Sequence, residues 1–232
     1  MTSAIRIYAR RIEGIGEADL AAERALLDAA ERERAKRFVF ESGRVEYIAA
    51  HALVRRALAE ELDADPRDFR FVEGAYGKPT AWLGAGAAPV SFNLSHTRGM
   101  VAVGVALDGI ALGVDVENGS RKVDLSIADS YFAPPELDWL RSHGDADQGG
   151  AFMTLWTLKE AFIKATGKGL SEELDRFWFA EPSARPIRIG FAPELTEDAG
   201  HWGFEHRVLA GDYHLSVGWR GSGRVEWRDM PA

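Results

Sequence analysis

The chain has 232 residues, of which 46% are hydrophobic and 10% aromatic, enough for the core of one large domain or two small ones. Its formal net charge of −8 argues against a nucleic-acid binder, which usually presents a basic surface. The absence of cysteine excludes a disulfide framework, a thiol nucleophile and a cysteine-based zinc site, and it fits a cytoplasmic protein. No apolar run is long enough to span a membrane, so no membrane-spanning segment is expected.

The first half of the chain is predicted to begin with a strand in residues 1–14 and to continue with two helices. Residues 17–37 are rich in Ala, Glu and Arg, and residues 45–62 have an apolar face that Asp65-Pro66 ends. A strand, a turn and a Gly/Ala-rich loop follow, and Asp108-Gly109 is predicted to join the last two strands as a hairpin. The predicted strands are Phe69–Glu73, Val90–Leu94, Met100–Leu107 and Ala111–Glu117.

The second half repeats this pattern of a long helix, then strands, then a terminal hairpin. The helix is predicted at residues 151–166, and the hairpin turn at residues 210–212. The strands are predicted at residues 177–180, 187–191, 204–209 and 213–219. We therefore predict an α+β protein of two pseudo-symmetric halves, residues 1–109 and 110–232, with a ligand at their interface.

The segment Gly113-Val114-Asp115-Val116-Glu117 places two carboxylates on one face of a strand. Since side chains alternate along a strand, Asp115 and Glu117 point the same way while Val114 and Val116 point into the core. Two like charges repel, and a cation between them relieves the repulsion; hard oxygen ligands suit Mg²⁺. Taken alone, the pattern fits a half-solvated strand with outward acidic residues better than it fits a metal site.

The segment Trp156 to Lys164 predicts a helix with a functional side. Apolar residues at helical spacing predict its core stripe: Leu155, Leu158, Phe162 and Ala165. Glu160 and Lys164, four residues apart, share the other side, and Trp156 lies one turn before Glu160. The alternative is an exposed ion pair worth a few tenths of a kcal/mol. Gly167 is a suitable C-cap, and Gly169 would allow a ligand to approach the backbone closely.

Two further groups of residues could bind phosphate. Ser95-His96 and the following Thr97-Arg98-Gly99 offer several hydrogen-bond donors at a turn, although a polar hairpin turn is the alternative. Adjacent strand residues face opposite ways, so Ser95 and His96 are not a catalytic dyad and a serine hydrolase is excluded. The basic group is Arg32, Arg34, Lys36, Arg37 and Arg44, with Lys78 beside Pro79.

Among the basic residues, Arg34, Arg37 and Arg44 are the candidates for gathering phosphates. The alternative is a solvated helix face on which Glu31 and Glu33 pair with the arginines, and for most of these residues that alternative is favoured.

Together these segments resemble the Sfp-type 4′-phosphopantetheinyl transferase family over roughly residues 25–220. The matching pieces occur in the family's order: Tyr76-Gly77-Lys78-Pro79, Phe92-Asn93-Leu94-Ser95-His96, Gly113-Val114-Asp115-Val116-Glu117, and Trp156 to Lys164 through Gly167-Lys168-Gly169-Leu170. Each motif is weak alone, but four in order are specific. The resemblance implies a monomer of two pseudo-symmetric α+β halves with coenzyme A bound between them.

The resemblance also implies a set of site residues. Asp115, Glu117 and Glu160 are expected to hold Mg²⁺, with Mn²⁺ as a substitute, and Glu160 is expected to take the proton from the acceptor serine. The catalytic residues expected on this basis are Glu160, Lys164, Asp115 and His96. The residues expected to bind coenzyme A are Arg34, Arg37, Arg44, Lys78, Pro79, Ser95, His96, Asp115, Trp156, Glu160 and Lys164.

The activity that the resemblance implies is transfer of the phosphopantetheine arm of coenzyme A to a serine of an apo acyl or peptidyl carrier protein, with release of 3′,5′-ADP. It favours a role in secondary metabolism. One alternative is a non-catalytic module that binds coenzyme A or a carrier protein; such a module would lack a metal carboxylate, and all three are present. Another is an unrelated Mg²⁺-dependent phosphotransferase, which would carry a P-loop, and no GxxxxGK[ST] occurs.

Overall fold

The structure is a computed structural model that describes residues 3–74, 77–167 and 173–229. The chain divides into two compact units, one formed by residues 3–109 with residues 224–229, the other by residues 110–223. Both contain helices and antiparallel sheets, so the predicted α+β class is confirmed. The sequence-based division places the end of the chain in the second half, whereas the structure pairs its last strand with the first strand of the chain.

The first unit consists of a sheet of four strands, a small sheet of three and the helices that accompany them. Its helices are α1 (Glu17–Leu26), α2 (Ala29–Ala35) and α3 (Glu41–Leu62). Its strands are β1 (Ser3–Arg11), β2 (Phe69–Glu73), β3 (Pro79–Leu83), β4 (Gly86–Ala87), β5 (Val90–Thr97), β6 (Met100–Leu107) and, from the end of the chain, β12 (Gly223–Asp229).

The prediction of a single helix over residues 17–37 is wrong, because the helix is interrupted at Leu27-Asp28. The Asp28 carboxylate accepts a hydrogen bond from the Glu31 N–H, and the Glu31 carboxylate accepts one from the Asp28 N–H, each at 2.9 Å. This reciprocal capping box begins a new helix, α2. The Asp-x-x-Glu spacing inside the long polar pattern is the signal that marks the break.

The main sheet of the first unit has the strand order β12-β1-β6-β5. Its central strand β6 is an almost continuous apolar run on which α3 packs. Leu53 and Ala57 of α3 belong to the same buried core cluster as the valines of β6. The predicted Gly/Ala-rich loop is wrong, since β3 and β4 pair with each other and β3 with β2. Asp108-Gly109 does form a turn with positive φ, but β6 and β7 belong to different sheets, so the predicted hairpin is wrong too.

The second unit builds its core around one long helix packed on a three-stranded sheet. Its helices are α4 (Ala128–Tyr131), α5 (Pro134–Arg141) and α6 (Gln148–Thr166). Its strands are β7 (Leu112–Asn118), β8 (Phe177–Trp178), β9 (Gly190–Phe191), β10 (Trp202–Leu209) and β11 (Tyr213–Arg220). The strands predicted at residues 177–180 and 187–191 are only two residues long each. Phe179 and Ile187, which flank them, lie in the buried core but are not part of a strand.

The main sheets of the two units share a connection plan. In the first, β1 pairs with β6, the second strand of the β5–β6 hairpin. In the second, β7 pairs with β11, the second strand of the β10–β11 hairpin. The long helices α3 and α6 each pack on their own unit's sheet. In the described part of the chain, no helix combines the length and apolar composition that a membrane crossing requires.

The predicted stripe of α6 is buried, and a lysine on the same helix is buried with it. The Lys159 ammonium donates hydrogen bonds of 2.7 Å to the carbonyl oxygens of Leu174 and Phe177. It also lies 2.7 Å from a carboxylate oxygen of Glu136, and both side chains are almost fully buried. Burial raises the pKa of Glu136 and lowers that of Lys159, so each charge depends on its partner.

Replacing Lys159 by methionine is expected to lower the free energy of unfolding by about 3–5 kcal/mol, because it leaves the Glu136 charge buried without its cation. Urea denaturation measures the loss. Lys36→Met is the matched control, since Lys36 forms an exposed pair with Glu33 and should cost no more than about 1 kcal/mol. Adding Glu136→Gln to Lys159→Met should recover part of the stability. Equal losses in the Lys159 and Lys36 variants would contradict a structural role for the buried pair.

Candidate active site

The candidate site of the second unit depends on a close approach between α6 and the sheet. A Cβ atom added to Gly113 on β7 would lie 2.0 Å from the carbonyl oxygen of Ala161 on α6. Gly218 is the register partner of Gly113, and a Cβ there would meet the Phe204 ring at 2.8 Å. Only glycine fits at Gly113, and this lets the helix backbone rest directly on the strand.

The same face of β7 carries the two predicted carboxylates. Side chains alternate, so Asp115 and Glu117 follow Gly113 on the side of α6, and Val114 and Val116 are buried as the alternation predicts. Asp115 is itself almost fully buried, while Glu117 is half-buried. The strand thus directs two acidic groups at one helix.

Lys164 and Glu160 of α6 meet these carboxylates. The Lys164 ammonium donates a 2.6 Å hydrogen bond to Asp115 Oδ1. Burial raises the pKa of Glu160; the negative charges of Asp115 and Glu117 raise it further, and Lys164 lowers it. The four predicted residues Asp115, Glu117, Glu160 and Lys164 therefore lie within electrostatic reach of one another.

The carboxylate site has the right chemistry for a hard divalent cation. It offers three carboxylates, and burial, together with the negative charges of Asp115 and Glu117, raises the pKa of Glu160. As the side chains stand, no three Asp, Glu or His residues within the described ranges gather closely enough to form a metal cluster. In this arrangement the Lys164 ammonium supplies the positive charge beside Asp115. The assignment of Asp115, Glu117 and Glu160 as metal ligands stays a prediction.

The end of α6 and Trp156 are also placed. Gly167 adopts a left-handed conformation with φ 72° as the C-cap, and its N–H bonds to the Ile163 carbonyl oxygen, as predicted. Trp156 is half-buried, with Tyr131 at its edge and Phe152 stacked against it. Lys168–Leu170, and with them the expected close approach at Gly169, lie outside the described residues.

Ser95 and His96 follow each other on β5 of the first unit and differ in exposure. Ser95 is buried, whereas the His96 side chain is 44% exposed, with its Nδ1 3.6 Å from a Glu46 carboxylate oxygen on α3. This difference agrees with the alternation that rules out a Ser-His dyad. Pro79 is the first residue of β3, and burial lowers the pKa of its neighbour Lys78. Tyr76, which precedes them in the motif, lies outside the described residues.

The three candidate arginines are all exposed, with different surroundings. Arg34 lies over the Tyr47 ring at 5.9 Å, and Arg44 donates a 2.6 Å hydrogen bond to Glu41. Arg37 follows α2 at its exposed end. The structure thus shows no shared partner for them among the described residues.

The expected pairing of Glu31 with surface arginines is wrong. Glu31 is buried and accepts a 2.9 Å hydrogen bond from Arg55, a fully buried residue of α3. Burial by itself would raise the pKa of Glu31, but hydrogen bonds from His51, the Asp28 N–H and Arg55 outweigh it and hold the pKa below its ordinary value. Arg55 also donates to the Phe69 carbonyl oxygen at 3.0 Å, so Glu31 and Arg55 form a structural centre of the first unit.

Sequence reasoning missed the structural lysine Lys159 and a set of polar residues behind the carboxylates. Ser216 and His214 on β11 are the register partners of Asp115 and Glu117, and both are buried. The available signal is the alternation of β11, which places Ser216, His214 and Gly218 on one face.

Family models match both parts of the chain. One, described as the 4′-phosphopantetheinyl transferase superfamily, matches residues 111–218. The other, described as 4′-phosphopantetheinyl transferase, N-terminal, matches residues 16–107. The first match contains all four residues of the carboxylate site, and the second contains the candidate phosphate-binding residues of the first unit.

Curated proteins with the same description are similar to this chain. A putative 4′-phosphopantetheinyl transferase of Synechocystis is 30% identical over 202 residues, covering 84% of this chain and 80% of that protein. HetI of Nostoc is 32% identical, and the match covers 73% of this chain and 71% of HetI. Sfp of Bacillus subtilis is 33% identical, and the match covers 63% of this chain and 62% of Sfp.

Among solved structures, the holo-[acyl-carrier-protein] synthase of Thermotoga maritima is similar with a TM-score of 0.39 and 19% identity, covering 50% of this chain and 65% of that one. A likeness of this size supports no statement about the site.

Gly113→Ala is expected to push α6 away from β7, since the new methyl group would meet helix backbone rather than a flexible side chain. Overpacking of this kind costs about 1–3 kcal/mol. Urea denaturation gives the stability. Gly144→Ala is the matched control, because a Cβ at Gly144 meets nothing within 4 Å. If the two variants are equally stable, α6 does not depend on the glycine at position 113.

Proposed function

The chain belongs to the Sfp-type 4′-phosphopantetheinyl transferase family and is an enzyme of that class; we propose that it transfers the 4′-phosphopantetheine of coenzyme A to a serine of an apo acyl or peptidyl carrier protein, with Mg²⁺ bound and 3′,5′-ADP released. The observation that carries the proposal is the meeting of Asp115, Glu117, Glu160 and Lys164 where β7 packs on α6. Three carboxylates and a lysine, with Asp115 buried and the other three half-buried, suit the binding of a divalent cation and a diphosphate more than they suit structure alone.

The three carboxylates would hold the metal ion. Bound there, Mg²⁺ would neutralise charge on the coenzyme A diphosphate and make 3′,5′-ADP a better leaving group. Phosphoryl transfer depends mainly on positioning and charge stabilisation, so a small set of side chains is sufficient.

Glu160 is the candidate base. The reason is its position: it is a half-buried carboxylate within electrostatic reach of Asp115, Glu117 and Lys164, and a positioned carboxylate can accept the proton of a hydroxyl group held within hydrogen-bond reach. In the proposed step the serine Oγ bonds to the β-phosphorus while the bond from that phosphorus to the 3′,5′-ADP oxygen breaks. The serine proton passes to Glu160, directly or through a water molecule. Lys164 would place positive charge beside the transferred phosphate.

The remaining coenzyme A contacts stay predictions. We assign the phosphates to His96 and Lys164 and the 3′-phospho-adenosine end to the other residues predicted in the first unit. Support comes from Lys78, whose pKa is lowered by burial, because an anionic phosphate beside it would stabilise its charged form. Binding of coenzyme A between the halves, a monomeric state, a cytoplasmic location and a role in secondary metabolism are likewise predictions.

Intact-mass spectrometry of an apo carrier protein incubated with this protein, coenzyme A and Mg²⁺ tests the reaction. The expected result is a mass gain of one phosphopantetheine, abolished by EDTA and restored by Mg²⁺ or Mn²⁺, because the diphosphate needs the metal's charge. No gain on several different carriers, despite binding of coenzyme A, would favour the non-catalytic binding module instead.

Asp115→Asn and Glu160→Gln test the carboxylate site, since each removes one charge at nearly constant volume. Each is expected to slow transfer by about 10²-fold or more, through loss of a metal ligand or of the base. Glu181→Gln is the matched control, an exposed carboxylate of the same unit. Initial rates are measured alongside circular-dichroism melting curves to confirm folding. Wild-type turnover in a folded Asp115→Asn or Glu160→Gln variant would rule out the corresponding assignment.

A further inference from the structure

A buried row of polar side chains lies on the sheet face that packs against α6. On β11, Ser216 is the register partner of Asp115, and His214 is that of Glu117. On β10, His206 is in turn the partner of Ser216. Ser216 is 0% exposed and His214 4%, so both need hydrogen bonds from the protein interior.

Two threonines of α6 meet this row. Thr157, which is 0% exposed, has its Oγ1 2.8 Å from Ser216 Oγ. Thr154 Oγ1 lies 3.3 Å from both His206 Nε2 and His214 Nδ1. His206 Nδ1 lies 3.0 Å from Ser216 Oγ, which closes the set. We call these five residues, Thr154, Thr157, His206, His214 and Ser216, the hydroxyl–imidazole network.

The direction of the hydrogen bonds follows from the number of protons. Thr157 Oγ1 has one hydrogen, which it donates to the Met153 carbonyl oxygen at 2.9 Å, so it must accept from Ser216. Ser216 then has no hydrogen left for His206 and accepts from His206 Nδ1–H. Burial, with the charges of His214 and Arg185, lowers the pKa of His206 to about 3, so this histidine is neutral. Its one proton lies on Nδ1, because that nitrogen is 3.0 Å from Ser216 Oγ, which can only accept. The chain His206 to Ser216 to Thr157 therefore has one direction.

Helix periodicity connects the network to the carboxylate site. Thr154, Thr157, Ala161 and Lys164 are separated by three, four and three residues, so they share one face of α6. Along that face, the threonines contact the polar row, Ala161 rests on Gly113, and Lys164 reaches Asp115. Glu160 lies one turn beyond Thr157. The side chains of a helix have fixed angular positions, about 100° apart from one residue to the next, so they all turn together when the helix rotates. A rotation of α6 would therefore break the hydroxyl contacts and redirect Glu160 and Lys164 at the same time.

Apolar packing alone specifies this rotation less strictly, since the core around α6 is apolar on several sides. A buried network of hydrogen bonds can select one arrangement among similar apolar ones. We propose that the hydroxyl–imidazole network is a positioning device that fixes the rotation of α6 on the sheet and so directs Glu160 and Lys164 at Asp115 and Glu117. The catalytic consequence rests on the function proposed above for the carboxylate site.

Thr157→Val and Thr157→Ser separate the hydroxyl group from the packing. Valine keeps the shape and removes the hydroxyl, whereas serine keeps the hydroxyl and removes a methyl group. We expect Thr157→Val to lower kcat by about 10²-fold, as misplacement of catalytic groups by about 1 Å does, with little change in KM for coenzyme A. Thr157→Ser should restore most of the lost kcat. A serine variant as impaired as the valine variant would show that packing, not the hydroxyl, matters, and would overturn the proposal.

Crystal structures of the wild type and Thr157→Val supply a readout that does not depend on activity. The expected result is loss of the Lys164–Asp115 contact, which is 2.6 Å in the wild type, through a rotation of α6. An unchanged contact would overturn the positioning role even if kcat fell. If the wild type transfers no phosphopantetheine, the proposed function fails, while the crystallographic comparison still decides the positioning role. Should Thr157→Val not fold, Ser216→Ala removes the same hydrogen bond from the strand side and is judged by the same contact.

Discussion

The site of the second unit depends on the contact between the backbone of α6 and the backbone of β7 at Gly113. A methyl group at that position would overlap the Ala161 carbonyl oxygen, so the short distance between helix and strand exists only because a side chain is missing. The distance in turn lets a buried aspartate two residues along the strand reach Lys164, and it brings Glu160 into the field of Asp115 and Glu117. The chemistry of the carboxylates therefore begins with a constraint on volume.

Charge is handled in contrasting ways on the same helix. Lys159 is enclosed, and its three partners are a carboxylate and two backbone carbonyl groups that saturate its donors, so it contributes to folding. Lys164, only five residues further, is 27% exposed and faces a cluster in which negative charges outnumber it. A lysine that is buried with all its donors bonded, as Lys159 is, belongs to a structural ion pair. A lysine that is partly exposed beside several carboxylates, as Lys164 is, belongs to a site that can still accept a ligand.

Sequence patterns predicted the elements that have one strong periodicity. They failed where a specific contact between residues determined the structure. The alternation in Gly113 to Glu117 predicted which side chains share a face of β7, and the apolar spacing in α6 predicted its buried stripe. The break at Leu27-Asp28 was missed because a capping box outweighs helix propensity. The roles of Lys159, Arg55 and Ser216 could not be predicted, because each depends on partners that are distant in the sequence. The strand at Gly223–Asp229 was missed for the same reason, since its partner is at the other end of the chain.

That last strand has a consequence for biosynthesis. Strand β12 pairs with β1, so the second unit is inserted between the first 109 residues and the strand that completes their sheet. On the ribosome, the outer edge of β1 has no β12 beside it until more than a hundred further residues have been translated. An open strand edge is prone to pair with other chains. The nascent chain therefore has to keep that edge from aggregating while the second unit is made, and β12 brings the protection only after that unit has been translated.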